Sequence, residues 1–169
     1  MQAEELIEMA DQIACKMFSD AGGLGESRVW IHTKGRLISI PCKPNPALEP
    51  KMKALICAMI YAARKAGTFE GVVMMAEAWM STTELSRPRS SVRPALDPNR
   101  KEIIILLAYG QDGKSKTRTR KIESWGGNRA IGPILEDFNK PGLVHESWLD
   151  AAFEDPTEEG NNGKQRAGR

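Results

Sequence analysis

Two short apolar runs on either side of a basic, proline-broken segment dominate the hydrophobic pattern of the chain. The first run, Gly71–Met80, is apolar apart from Glu77, and the second, Glu102–Tyr109, is apolar after its first residue. Apolar runs of this length, bounded by breakers of regular structure, are typical of strands in the core of a sheet. Because the first run is apolar on both faces, we expect a central strand, or one that is covered by helices on one face and by loops or a second subunit on the other.

The residues before residue 45 predict a helix followed by a hairpin. Between residues 3 and 18 apolar side chains recur at helical spacing, and Gly22-Gly23 ends the pattern. Residues 28–33 and 36–40 are β-prone runs joined by Lys34-Gly35, which is the arrangement of a hairpin.

A second helix, expected over residues 45–67, is interpreted as the principal helix of the core. Asn45-Pro46 is a favourable start for a helix, and Gly67 is a favourable end. One face of this helix carries an apolar stripe, made of Met52, Leu55, Ile56, Met59, Ile60 and Ala63.

The chain after residue 109 predicts a turn, a basic strand and then weaker helices. Asp112-Gly113 is a turn signal, and residues 114–125 alternate basic with small polar side chains. Such alternation suits a half-exposed strand whose basic residues prevent edge-to-edge aggregation. Weak helical pieces are expected between residues 129 and 153, around Pro133 and Pro141.

Together these elements predict an α+β fold with a mainly antiparallel sheet of about five strands and with helices packed on one face. A parallel crossover through the second helix stays open as an alternative. Residues 1–154 are expected to form a single domain, and residues 155–169 a disordered polar tail.

The composition indicates a globular protein of the cytoplasm. The 41% hydrophobic and 27% charged content is ordinary for a soluble domain. The three cysteines show no CxxC spacing, which favours free thiols in a reducing compartment. We find neither a secretory pattern at the N-terminus nor an apolar stretch of the roughly 18 residues needed to span a membrane.

Charge is segregated along the chain. Residues 1–20 contain five acidic residues and one base, residues 87–121 contain ten bases and three acids, and residues 122–169 contain nine acids and five bases. A basic middle between acidic ends predicts a dipolar surface that can steer an anionic partner.

The basic middle is the predicted partner-binding region. A protein partner is favoured, because few aromatic residues are interleaved with the bases for stacking on nucleotides. Nucleic-acid binding through the same surface is the alternative, and a homodimer also stays open. The candidate binding residues are Arg87, Arg89, Arg93, Lys114, Lys116, Arg118 and Arg120.

Catalysis receives less support from the sequence. Glu77 would serve as a general base if its apolar strand raised its pKa, so a small enzyme centred on Glu77 is a third alternative. No histidine or second carboxylate lies at a recognisable spacing from it, and no metal or nucleotide motif is present. We therefore expect a non-enzymatic protein without a cofactor or a metal.

One pattern resembles a known group of proteins. Glu77-Ala-Trp79 is followed by Pro94-Ala-Leu-Asp97-Pro-Asn-Arg100-Lys-Glu102. This arrangement, within residues 50–125, resembles small uncharacterised proteins of bacteriophages, prophages and bacterial genomes, and departs from their pattern at Ala76 and Ala95-Leu96.

The resemblance implies a phage or mobile-element context, a host cytoplasm if the protein is phage-encoded, and a partner such as a host defence or regulatory factor. It also implies one local structural unit, in which Arg100 pairs with Glu77 or Glu102 and Trp79 packs beneath the following loop. The members of that unit are Glu77, Trp79, Asp97, Arg100 and Glu102.

Overall fold

A six-stranded antiparallel sheet forms the centre of the protein. The computed structural model describes residues 1–43, 49–80, 100–138, 148–149 and 152–153. The helices are α1 (Ala3–Ala21) and α2 (Glu49–Lys65), and the strands are β1 (Ser27–Thr33), β2 (Arg36–Cys42), β3 (Phe69–Met80), β4 (Lys101–Gly110), β5 (Ser115–Trp125) and β6 (Asn128–Phe138). The strand order is β2-β1-β3-β4-β5-β6.

The α+β class and the antiparallel sheet are confirmed, with six strands instead of about five. Helix α2, which connects β2 to β3, does not make a parallel crossover, because β3 pairs antiparallel with β1. As expected for a strand that is apolar on both faces, β3 lies inside the sheet, between β1 and β4.

The two helices lie on opposite faces of the sheet, whereas the sequence predicted helices on one face. Val73 and Met75 of β3 pack with α1, while Val72 and Met74, at the alternate positions, pack with α2. A strand that is apolar on both faces requires cover on both faces, because successive side chains point in opposite directions.

The prediction that the second helix is the principal core helix is wrong, since α1 is the more deeply buried helix. Seven residues of α1 are buried, whereas only Ile56 and Ile60 of α2 are buried. Leu55, part of the predicted apolar stripe, is 54% exposed. In α1, Ala10 and Ala14 are fully buried, and such small side chains let a helix approach a sheet closely.

Residues 128–138 form β6, so the weak helix expected around Pro133 is wrong. Proline is tolerated here because β6 is an edge strand, the position in a sheet to which proline is normally confined. Beside Pro133 the register against β5 shifts between Arg120 and Ile122, which marks a bulge. Pairing with β6 also makes β5 an interior strand.

Several predictions lie outside the described residues. These are Asn45-Pro46, the segment 81–99, the piece around Pro141 and the tail 155–169. Cys15, Cys42 and Cys57 are all described, and all three are free thiols.

Candidate functional site

The basic strand β5 lies beneath α1. Lys116 and Arg118 are buried, with 8% and 4% of their surface exposed. Acidic residues of α1 recur at spacings of three or four residues, so one face of the helix offers a carboxylate about every 5 Å. Bases at every second position of a strand recur about every 6.7 Å. The two repeats match closely enough for the side chains to pair in order.

Each base of this face contacts carboxylates. Arg118 donates from Nη2 to Glu8 at 2.6 Å and to Asp137 at 2.9 Å, and from Nη1 to Asp11 at 3.1 Å. Arg120 Nη1 lies 3.0 Å from an Asp11 oxygen, and Lys116 pairs with Glu4 and Asp137. We call this set the ion-pair ladder, and its members are Glu4, Glu8, Asp11, Lys116, Arg118, Arg120 and Asp137.

The electrostatics of the ladder stabilise the charged forms. The hydrogen bond from Arg118 lowers the pKa of Glu8, and the Glu8 carboxylate in turn raises the pKa of Arg118. Burial alone would lower the pKa of Lys116, but the carboxylates of Glu4 and Asp137 outweigh it and raise that pKa. The ladder therefore holds its charges as internal pairs.

This geometry corrects the expectation of a half-exposed basic strand. Lys116 and Arg118 face α1, and the Arg120 side chain is only 20% exposed. Of the predicted binding residues that the structure describes, Lys114 is the exposed one, and it pairs with Asp112 at the turn. The segregation of charge along the sequence becomes complementarity between α1 and β5 inside the fold. Arg87, Arg89 and Arg93 lie outside the described residues.

Glu77 lies on the α1 face beyond the end of that helix and has two partners. Its Oε1 accepts the backbone N–H of Leu24 at 2.7 Å, and its Oε2 accepts from Arg129 Nη2 at 2.6 Å. Its side chain is 26% exposed. The carboxylate is therefore neither deeply buried nor without a partner, although its position in an apolar run suggested both.

Arg129 is the residue that the sequence analysis missed. It also pairs with Glu102, donates to the backbone oxygen of Gly22 at 3.1 Å, and lies over the Phe18 ring at 5.5 Å. The Glu77 carboxylate raises the pKa of this guanidinium. Arg129 thereby joins β6 to β3, to β4 and to the end of α1, and nothing in the local sequence of β6 indicates this role.

The predicted local unit is partly assembled. Glu77 and Glu102 are brought together, but the base that bridges them is Arg129, where the sequence analysis expected Arg100. Arg100 instead stacks over the Trp79 ring with its guanidinium 4.5 Å from the ring centre. Trp79 is 44% exposed. Asp97 lies outside the described residues.

An apolar cleft of about 610 Å³ opens on the α2 face. Met52 and Ile56 of α2 form one wall, and Met74 of β3 and Trp148 also line it. Within the described residues, no group of three or more His, Cys, Asp or Glu is placed to hold a metal ion. None of the helices in that part of the chain is long and apolar enough to cross a membrane.

Comparisons with known proteins give no relative for this chain. No protein-family model, no curated protein and no solved structure matches it.

Proposed function

We propose that the chain is a non-enzymatic binding protein of the phage or mobile-element type, acting in the cytoplasm on another protein. A host defence or regulatory factor is the class of partner that this context suggests. The observation that carries the proposal is the exposed Trp79 with Arg100 stacked upon it, at the end of β3 and the start of β4. Tryptophan and arginine are the residues most enriched among the energetic centres of protein interfaces.

The position of this pair adds to the argument. Trp79 and Arg100 flank the segment 81–99, which carries Arg87, Arg89 and Arg93. An arginine-bearing segment that begins and ends beside an exposed aromatic–arginine pair suits an acidic protein surface, because the ring supplies apolar contact and the bases supply charge.

The ion-pair ladder supports a protein partner over a nucleic acid. Phosphate binding depends on cations that are free to replace counterions. Lys116 and Arg118, two of the seven predicted binding residues, are instead buried against carboxylates. The bases that remain for a phosphate backbone are fewer than the sequence indicated.

The contacts of Glu77 support a structural role for this carboxylate. A general base needs an oxygen directed at a substrate, whereas both oxygens of Glu77 accept hydrogen bonds within the fold. These bonds fix the residues that lead from α1 into β1.

A capture experiment tests the proposal. The tagged chain is incubated with host lysate, with and without nuclease, beside a Trp79→Ala variant and a variant with Arg87, Arg89 and Arg93 replaced by alanine. The control is Leu55→Ala, which removes a similarly exposed apolar side chain from the opposite face of the sheet. We expect a discrete protein that survives nuclease, is lost with both test variants and is retained by the control.

Two results would contradict the proposal. Capture that disappears with nuclease would identify a nucleic acid as the partner. Capture that all variants retain would show that the surface around Trp79 is not the interface.

A further inference from the structure

From the open edge of the sheet we infer that β2 pairs with β2 of a second copy of the chain, joining two sheets across a two-fold axis. Among the described strands, β2 has β1 as its single neighbour and ends the sheet. The inference concerns a different surface from the one proposed above for the partner protein, so each can fail without the other.

The alternation of hydrogen-bonded and non-bonded pairs along the β1–β2 hairpin determines which backbone groups of β2 point away from β1. Lys34 and Gly35 form a two-residue turn between the paired residues Thr33 and Arg36. In such a hairpin the closing pair is hydrogen-bonded, and bonded and non-bonded pairs then alternate. Leu37, Ser39 and Pro41 therefore direct their backbone groups away from β1.

The outer edge of β2 has few of the features that protect edge strands. The protective residues of β2 are Arg36 at its start and Pro41 near its end. Between them the strand carries no charge, its register against β1 has no bulge, and Leu37 is 56% exposed. Charges, bulges and prolines normally prevent edge strands from pairing with other chains. Edge strand β6 shows this protection, with two register shifts, an internal proline and adjacent acidic residues at 136 and 137.

Pro41 selects the register of the pairing. Because proline has no N–H, a register that places Pro41 among the bonded pairs lacks two donors. A register centred on Ile38 leaves Pro41 out of the bonded pairs. In this register Leu37 of each copy exchanges two backbone hydrogen bonds with Ser39 of the other copy. The seam then has four backbone hydrogen bonds, and Ile38 faces its own copy.

A second copy suits this edge better than a charged peptide. Antiparallel pairing places like faces of the two sheets on the same side, so Ile38 meets Ile38 of the second copy, while Ile40 lies opposite Arg36 and diagonal to Ile38. The exposed Leu37 lies beside the small Ser39, and no like charges are opposed. A seam of this length buries less surface than a standard interface, so we expect association in the micromolar range or weaker.

Cysteine cross-linking tests the register. The chain is prepared with Cys15, Cys42 and Cys57 replaced by alanine and with either Ile38→Cys or Leu37→Cys. In the inferred pairing, Ile38 forms a non-bonded pair with its copy, whose Cα atoms lie about 4.5 Å apart, within the range of a disulfide. The two copies of Leu37 are diagonal neighbours about 7–8 Å apart, too far for efficient bridging.

We expect mild oxidation to convert the Ile38→Cys variant to a covalent dimer at least tenfold faster than the Leu37→Cys variant. Equal rates, or faster bridging at Leu37→Cys, would overturn the register.

Sedimentation of the full chain tests the dimer without cysteine and does not depend on how well the cross-linking variants fold. At concentrations up to about 0.5 mM we expect a reversible dimer, weakened at least tenfold by Leu37→Lys. The control Ile134→Lys changes an exposed apolar residue of β6 at the other edge and is expected to leave the dimer intact. A wild-type chain that stays monomeric, or a dimer lost only with Ile134→Lys, would refute the inference.

Discussion

Arg118 pairs with three carboxylates of the ion-pair ladder, more than either Lys116 or Arg120 does. Its side chain is 5% exposed and contacts the carboxylates of Glu8, Asp11 and Asp137. Replacing it by methionine would keep much of its volume but leave these carboxylates facing one another, with Asp11 buried. We expect Arg118→Met to lower the free energy of unfolding by about 3–5 kcal/mol, measured by urea denaturation.

A matched variant distinguishes burial from charge. Lys16 pairs with Asp20 on the exposed side of α1, where the two side chains are 77% and 60% exposed. Because solvent screens an exposed pair, Lys16→Met should leave the free energy of unfolding unchanged within the error of the same measurement. Equal effects of the two methionine variants would contradict the importance given to the ladder.

Two substitutions of Glu77 separate the contribution of its charge to stability from the contribution of its hydrogen bonds. Glu77→Gln keeps an oxygen for the Leu24 N–H but loses the ion pair with Arg129, so we expect a loss of about 1–2 kcal/mol in urea denaturation. Glu77→Leu removes both acceptors and should cost more. If the leucine variant is as stable as the glutamine variant, the bond to Leu24 contributes nothing.

At the residue scale, the sequence identified some of the side chains that matter but not what surrounds them. Glu77 stood out because it interrupts an apolar run, and its proximity to Glu102 followed from the resemblance. The role of Arg129 could not be predicted, because it lies 52 residues after Glu77. It also lies on a strand that the sequence did not predict, since that strand contains a glycine and a proline. The burial of Arg118 could not be predicted for a similar reason, since it depends on acidic residues more than 100 positions earlier in the chain.

Among the elements, α1 is positioned by two glycines that face each other across β3 and β4. Gly71 pairs with Gly110, and a Cβ on Gly71 would lie 2.3 Å from Leu6 Cδ1 and 3.0 Å from the backbone oxygen of Tyr109. We expect Gly71→Ala to destabilise the protein by about 1–3 kcal/mol, because the fully buried Leu6 side chain and the strand backbone at Tyr109 must shift to admit the methyl group.

A double-mutant cycle checks this explanation of Gly71. Leu6→Ala removes the side chain that the new Cβ would strike, so the double variant should be more stable than the sum of the two single losses predicts, by about 1 kcal/mol. Additive losses would show that the helix and the sheet are not in close contact at this point.

Most elements were predictable because their signals are local. The hairpin of β1 and β2, the apolar strands β3 and β4, and the Asp112-Gly113 turn lie close to where the sequence placed them. The sequence did not show which helix covers which face of the sheet. Both α1 and α2 carry apolar stripes, and the hydrophobic pattern does not indicate which face of the strands each stripe contacts. Strand β6 was missed because Gly132-Pro133 reads as a break, whereas an edge strand accommodates it as a bulge.

For the molecule as a whole, the chain folds so that its acidic helix α1 covers the bases of β5. This arrangement makes stability depend on pH in a defined direction. The pKa of Glu8 is below its ordinary value of 4.5 because of Arg118, and the pKa of His32 is below 6.5 because of burial. In both cases the unfolded chain takes up protons at a higher pH than the folded chain does.

Both shifts therefore predict a loss of stability in acid. The contribution of His32 is fully present above pH 6.5 and is lost as the pH falls through its lower folded value; that of Glu8 is fully present above 4.5 and is lost further down. Urea denaturation across this range should show unfolding free energy falling steadily with acidification. His32→Gln should flatten the upper part of the fall and Glu8→Gln the lower part. A wild-type chain whose stability is constant or rises in acid would show that neither group is coupled to folding, whereas a fall that survives both substitutions would assign the coupling to other carboxylates.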